Sequence, residues 1–153
     1  MAERYQTKIS VFLMLTRETN GNKEVLLQER TNTGYMDGNY DTACSGHVEK
    51  GESILTATVR EAKEELGISV NEDDLNLVAV IHPYQEDYVN VFFTTEKYTG
   101  TPKIMEENKC SNLQWFNTNN LPDNTIMRIR NVIKYMQNGI ICDDGDFSHQ
   151  KNN

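Results

Sequence analysis

At 153 residues, 37% hydrophobic and 25% charged, the chain has the size and composition of one globular domain with a proper core. A formal net charge of −8 argues against wrapping duplex nucleic acid, which needs a basic face, and no apolar run approaches the ~20 residues needed to span a bilayer. Cys44, Cys110 and Cys142 form no C-x-x-C pair, and the opening MAERYQTK has no apolar signal core, so a reducing, cytoplasmic setting is expected.

Residues 9–16 (ISVFLMLT) are apolar at nearly every position, the pattern of a central strand covered on both faces. Asn20-Gly21 is a hairpin signal, so residues 25–29 (VLLQE) are expected to return as a second strand. Residues 30–40 (RTNTGYMDGNY) are rich in turn formers and make either a solvated connector or a loop that touches substrate through Tyr35 and Met36. Residues 40–44 read as one short strand leading to a loop at 46–51, after which Ser53 is placed to cap a helix that Gly67 ends. Residues 75–82 and 88–95 are two further strands around a turn at 83–87, and another short strand ends at Trp115-Phe116. Leu121-Pro122 introduces a last helix with Ile126, Ile129, Ile133 and Met136 on one side. Helices on opposite faces of a mixed sheet give a three-layer α/β/α sandwich. Residues 1–142 are expected to be that single domain, and residues 143–153 a polar, mobile tail.

The chemistry concentrates in residues 46–68, GHVEKGESILTATVREAKEELGI. At 3.6 residues per turn, Leu55, Val59, Ala62 and Leu66 form one stripe, and Glu61, Glu64 and Glu65 gather on a face turned away from it. This predicts one packed face and one coordinating face. Glutamates at i, i+3 and i+4 near a helix C-terminus repel one another and meet the negative end of the helix dipole. Arg60 reaches Glu64 at i+4 and Lys63 lies nearby, but a divalent cation relieves the cluster better, and oxygen-only ligands suit Mg²⁺ or Mn²⁺. The bland alternative is a solvated helix side stitched by Arg60 and Glu64.

The same stretch resembles the Nudix box, G-x5-E-x7-R-E-U-x-E-E-x-G-U with U a bulky aliphatic. Gly46, Glu52, Arg60, Glu61, Glu64, Glu65, Gly67 and Ile68 fill its fixed positions, and the small Ala62 stands at the first U. The resemblance implies the Nudix fold and a metal-dependent hydrolase of a nucleoside diphosphate-linked substrate. Its leading form is a MutT-like enzyme that cleaves a nucleoside triphosphate to a monophosphate and pyrophosphate.

By resemblance, Glu61 and Glu65 bind metal most directly, Glu64 binds metal or takes the proton from the attacking water, and the Ser45 carbonyl completes the shell. Glu52 belongs to an ion pair or outer shell, Arg60 holds a carboxylate in place, and Gly46 lets backbone approach a phosphate. Related MutT-like sequences carry Glu-Pro in a late loop; here Glu106 aligns with the Glu and Glu107 replaces the Pro, which leaves the working residue open between a solvated loop and a further catalytic carboxylate beside Glu64 and Arg60, with Glu106 the first choice over Glu107. His47 and Lys50 either contact a phosphate or face water. Asn124 either reads a base edge or, like Asp123, caps the last helix. His82, Cys44 and Cys110 read as structural residues.

Pro83 and Tyr84 stand side by side where the resemblance places markers for ADP-ribose and for dinucleoside polyphosphates, so hydrolysis of either remains an alternative. A third alternative, a non-catalytic nucleotide-sensing domain, generally goes with loss of box carboxylates, which this chain keeps. The expected partner is a nucleotide or related diphosphate, without duplex nucleic acid or membrane.

Overall fold

The computed structural model describes residues 2–144. Strand β1 (Lys8–Thr19) is buried at every position from Ser10 to Thr16, as an apolar run flanked on both faces requires. Its side chains alternate: Phe12 and Met14 enter one core, Leu13 and Leu15 the other. Strand β2 (Asn22–Arg30) returns through Asn20 and Gly21, whose φ values of 51° and 78° are the left-handed pair that a tight hairpin turn needs.

The single short strand expected over residues 40–44 is two strands. β3 (Tyr40–Thr42) pairs with β2, and β4 (Cys44–His47) pairs with β1. The β1–β2 pairing runs only from Thr16–Val25 to Thr19–Asn22, and the segment carrying β3 and β4 fills the gap beyond it. Ala43, 1% exposed, is the crossing point between the two partners.

β5 (Asn76–Ile81) and β6 (Tyr88–Thr95) pair antiparallel, and β6 runs parallel to β1 from Lys8–Tyr88 to Leu15–Thr95. β7 (Cys110–Asn117) lies on the far edge of β2. The polar tail expected from residue 143 begins too early: Cys142 and Asp143 form β8, parallel to Val80 and Ile81 of β5. Residues 145–153, the rest of that tail, lie outside the described residues. The mixed sheet runs β3-β2-β1-β6-β5-β8, with β4 on β1 and β7 on β2.

Helix α1 (Ile54–Leu66) covers one face of the sheet through Ala62 and Leu66, against Leu13, Leu15, Cys44, Val91 and Phe93. Helix α2 (Met127–Asn138) covers the other through Ile129, Val132 and Ile133, against Phe12, Met14, Ala79 and Phe92. This is the α/β/α sandwich expected from the sequence. Phe12 and Phe92 stack with ring centroids 4.4 Å apart beneath α2. Among the described residues, no helix is long and apolar enough to cross a membrane.

Candidate active site

Ser53 caps α1 as expected, its hydroxyl accepting from Thr56 N, and Gly67 ends the helix at φ 68° with its N–H on the Ala62 and Lys63 carbonyls. The glutamate face differs from expectation. Glu61 is buried together with Ala57, Thr58, Ala62 and Leu66, Glu65 is partly buried, and only Glu64 is exposed; Leu55 and Val59 are only partly buried. Two of the three carboxylates therefore point at the sheet rather than at bulk water.

β4 makes this possible. A Cβ built on Gly46 would stand 2.0 Å from Glu61 Oε1, so the glycine makes room for a carboxylate of the same protein. One residue earlier, Ser45 N donates to Glu65 Oε2 at 2.9 Å. Successive residues of one short strand thus seat successive inward glutamates of α1.

Arg60 holds the outer side. Nε and Nη2 grip both oxygens of Glu52 at 3.0 and 2.6 Å, Nη1 donates to Glu61 Oε1 at 2.7 Å and to Glu64 Oε2 at 3.2 Å, and Nη2 also donates to the His47 carbonyl. The fork and the Glu49 N–H hold the Glu52 carboxyl below its ordinary range. Burial pushes Glu61 up, against the pull of Arg60 and with the repulsion of Glu64 and Glu106. Glu65 is driven further, to about 8, mainly by burial, with Ser45 N and Lys109 opposing and Glu61 and Glu106 adding repulsion.

Glu65 lines a cavity of about 370 Å³ with Ser45, His47, Glu106, Lys109 and Arg30. Glu106 therefore enters the same space as the box, and its carboxylate acts on both Glu61 and Glu65; Glu107 is exposed and lines none of the cavities described here. His47 lies at the mouth, stacked on Tyr88 at 5.4 Å. Lys50 is exposed and borders a hollow with Thr7, Lys8, His47 and Glu49; of these His47 also lines the cavity that holds Glu65, and Lys50 does not.

A wider cleft adjoins the first cavity through Arg30, Thr33, Ser45 and His47, and continues past Tyr35, Asn90 and Arg128. Tyr35 stands exposed on its rim, and with the exposed Met36 it borders the pocket beyond. Asn124 does not cap α2. Its Nδ2 donates to the Gly38 carbonyl at 2.8 Å, and α2 begins after Ile126 with no side-chain cap. It ties the 30–40 loop to the lead-in of α2.

Sequence reasoning missed the charged floor of this cleft. Asp41, 1% exposed, pairs with Arg30 at 3.1 Å and Arg128 at 3.4 Å. The available signal was an aspartate between Tyr40 and the Thr42-Ala43-Cys44 run, since a charge in a buried strand must be paired. His82 keeps a structural place at a strand end, against Tyr5. Cys44 and Cys110 are buried free thiols, and burial with the Glu65 charge raises both, opposite to what a nucleophilic cysteine needs.

The donor set fits a hard divalent cation: Glu61, Glu64, Glu65 and Glu106 are all carboxylates, and burial and mutual repulsion raise Glu61 and Glu65. Among the described residues no three acidic, histidine or cysteine side chains converge as a ready cage. Glu61 and Glu64 are turned to Arg60 and Glu65 to Ser45 N.

A family model described as the NUDIX domain matches residues 6–136. An isopentenyl-diphosphate Delta-isomerase of Aliivibrio fischeri is 28% identical over 116 residues, and the match spans 68% of this chain and 62% of that relative's length. Among solved structures, a MutT NUDIX hydrolase from Burkholderia pseudomallei superposes with a TM-score of 0.73 at 22% identity, covering 85% of this chain and 98% of the other. The NUDIX domain of Shewanella oneidensis NrtR, complexed with ADP ribose, superposes at 0.67 with 15% identity over 90% of both chains.

Proposed function

The chain belongs to the NUDIX family, and from that premise we propose that it is a divalent-metal-dependent hydrolase that cleaves a nucleoside triphosphate to a monophosphate and pyrophosphate. The observation that carries this reading is the entry of Glu65 and Glu106 into one cavity at the end of a cleft long enough to continue past Tyr35 and Arg128. A charged diphosphate fits the acidic end through a cation, and the remainder of a nucleotide fits the cleft.

Glu61, Glu64 and Glu65, with the Ser45 carbonyl, are the proposed metal-holding groups. Bound Mg²⁺ or Mn²⁺ supplies polarisation of the phosphoryl oxygens and a more acidic water. The protein fixes the geometry around it. Arg60 spends every donor on its own chain, so its task is to orient Glu61, Glu52 and the His47 backbone rather than to touch substrate. Glu64, exposed, and Glu106, in the cavity wall, are the two groups proposed to take the proton from the attacking water. Lys109 lines the same cavity and offers positive charge to the phosphate groups of the substrate.

The Aliivibrio relative supports a second reading, an isomerase of a small diphosphate. The two separate in one experiment: turnover with Mg²⁺ and with EDTA across nucleoside triphosphates, ADP-ribose, dinucleoside polyphosphates and isopentenyl diphosphate. Pyrophosphate release from the triphosphates, abolished by EDTA, is expected. Conversion of isopentenyl diphosphate without phosphate release would transfer the assignment to the isomerase, and preferred hydrolysis of ADP-ribose or a dinucleoside polyphosphate would change the substrate.

A further inference from the structure

Glu106 and Lys109 enter the acidic cavity from residues 105–109, which are exposed and belong to no helix or strand. The first anchor of this loop is α1: Lys103 N donates to the Leu66 carbonyl at 3.1 Å and Met105 N to the Glu65 carbonyl at 3.3 Å. Beyond Met105 the chain turns, and Lys109 N closes the turn on the Glu106 carbonyl at 3.0 Å. The peptide group between Asn108 and Lys109 therefore fixes the backbone from which the Glu106 side chain departs.

The other end of that peptide is gripped by the 30–40 loop. Asn32 Nδ2 donates to the Asn108 carbonyl at 3.2 Å, and Thr31 N donates to the next carbonyl, that of Lys109, at 3.0 Å. The N–H and C=O of one peptide polarise each other, so the bond from Asn32 strengthens the one that closes the Glu106 turn. The Thr31 bond is made by the main chain, which leaves Asn32 as the side chain on which this second anchor depends.

The anchor is itself fixed on both sides. Before Asn32, Arg30 Nε donates to the Tyr35 carbonyl, Nη1 to the buried Asp41 and Nη2 to Thr33 Oγ1. After it, the Asp37 carboxylate accepts from Thr33 N, Thr33 Oγ1 and Gly34 N. Asn32 holds φ 52°, a left-handed conformation that asparagine adopts more readily than most residues. It lines neither the acidic cavity nor the cleft.

We infer that Asn32 is a positioning residue for Glu106: its amide ties the Glu106 loop to the rim of the cleft and sets where that carboxylate stands in the cavity. This rests on the reading of Glu106 as a group that acts in hydrolysis, and deepens it by naming what holds the group in place.

Asn32→Gly tests this cleanly, because glycine accepts φ 52° without strain and only the side-chain bond is lost. Hydrogen exchange in the EDTA-treated protein is the first readout and needs no turnover. The Lys109 amide, whose sequence neighbours are unchanged, is expected to exchange at least roughly threefold faster in the variant. With a nucleoside triphosphate and Mg²⁺, kcat should fall roughly three- to tenfold while KM stays within about twofold of wild type. Asn32→Asp, which sets an acceptor against the Asn108 carbonyl, should do the same. In a Glu106→Gln background Asn32→Gly should cost nothing further, since the two residues act through one group. Unchanged exchange at Lys109 overturns the inference, as does an unaltered kcat, an equal loss of kcat with and without the Glu106 carboxylate, or an effect confined to KM. A wild type that hydrolyses no nucleoside triphosphate would instead sink the hydrolase reading, and the exchange comparison alone would then decide whether Asn32 holds the loop.

Discussion

Gly46 of β4 and Glu61 of α1 share one space: a methyl group on residue 46 would lie 2.0 Å from Glu61 Oε1 and 2.7 Å from its Cγ. The neighbour is the end of a flexible side chain, so Gly46→Ala displaces the carboxylate rather than the backbone. We expect a melting temperature within about 4 °C of wild type and a loss of at least roughly a hundredfold in kcat/KM. Near-normal turnover in Gly46→Ala would mean that the position of Glu61 is irrelevant to the reaction.

The acidity of Glu65 gives a pH signature to the metal-free protein. Its folded pKa, about 8, stands above the ordinary 4.5, so between these values the folded state binds more protons than the unfolded chain. Stability is then greatest below the ordinary value and falls as pH rises towards 8. Glu61 is raised as well and adds in the same direction, whereas Glu52, which is lowered, contributes stability that is lost only on the acid side. Melting in EDTA should show a midpoint that declines from pH 5 to 8, with a shallower decline in Glu65→Gln. A wild-type midpoint that rises over that range would contradict the burial of this carboxylate.

Glu106 and Glu107 should separate cleanly. Both are exposed loop residues, but Glu106 lines the cavity with Glu65 and Glu107 does not. Glu106→Gln is expected to lower kcat by at least about tenfold with little change in KM, as for a group acting in the transition state. Glu107→Gln should keep wild-type kinetics. Equal, small effects from both would remove the loop carboxylate from the mechanism.

Arg60 is a fork, and its charge alone is not enough. Its three nitrogens make five hydrogen bonds, to Glu52, Glu61, Glu64 and the His47 carbonyl. Lysine has one nitrogen and cannot bridge Glu52 and Glu61 together. Arg60→Lys should lower kcat/KM by roughly tenfold or more, and Glu52→Gln should give a similar though smaller loss. Full activity in Arg60→Lys would reduce the clamp to a surface ion pair.

Much of the fold was legible because it follows from local alternation. The run around Phe12, Leu13, Met14 and Leu15 could only be a strand buried on both faces, and Asn20-Gly21 fixed the hairpin. The crossing at Ala43 was not legible, because it depends on two strands diverging around it. The glutamate face was misplaced for a related reason. Helical periodicity assigns charged residues to water, but Gly46 and Ser45 N provide seats for Glu61 and Glu65 from a strand 15 to 20 positions earlier. Asn124 illustrates the opposite limit: its position before a helix suggested a cap, and its partner is the Gly38 carbonyl, 86 residues away. The Arg30–Asp41–Arg128 group is likewise set by tertiary contact alone.

Product analysis tests the central claim most directly. The wild type is incubated with a nucleoside triphosphate and Mg²⁺ in ¹⁸O-water, beside Glu65→Gln and an EDTA control, and the products are resolved by mass. The expected result is nucleoside monophosphate and pyrophosphate, with ¹⁸O in one of the two only. Glu65→Gln should be slower by at least roughly a hundredfold, and EDTA should stop turnover. Undiminished turnover in EDTA, a phosphorylated enzyme intermediate, or nucleoside diphosphate and phosphate as the products would contradict it.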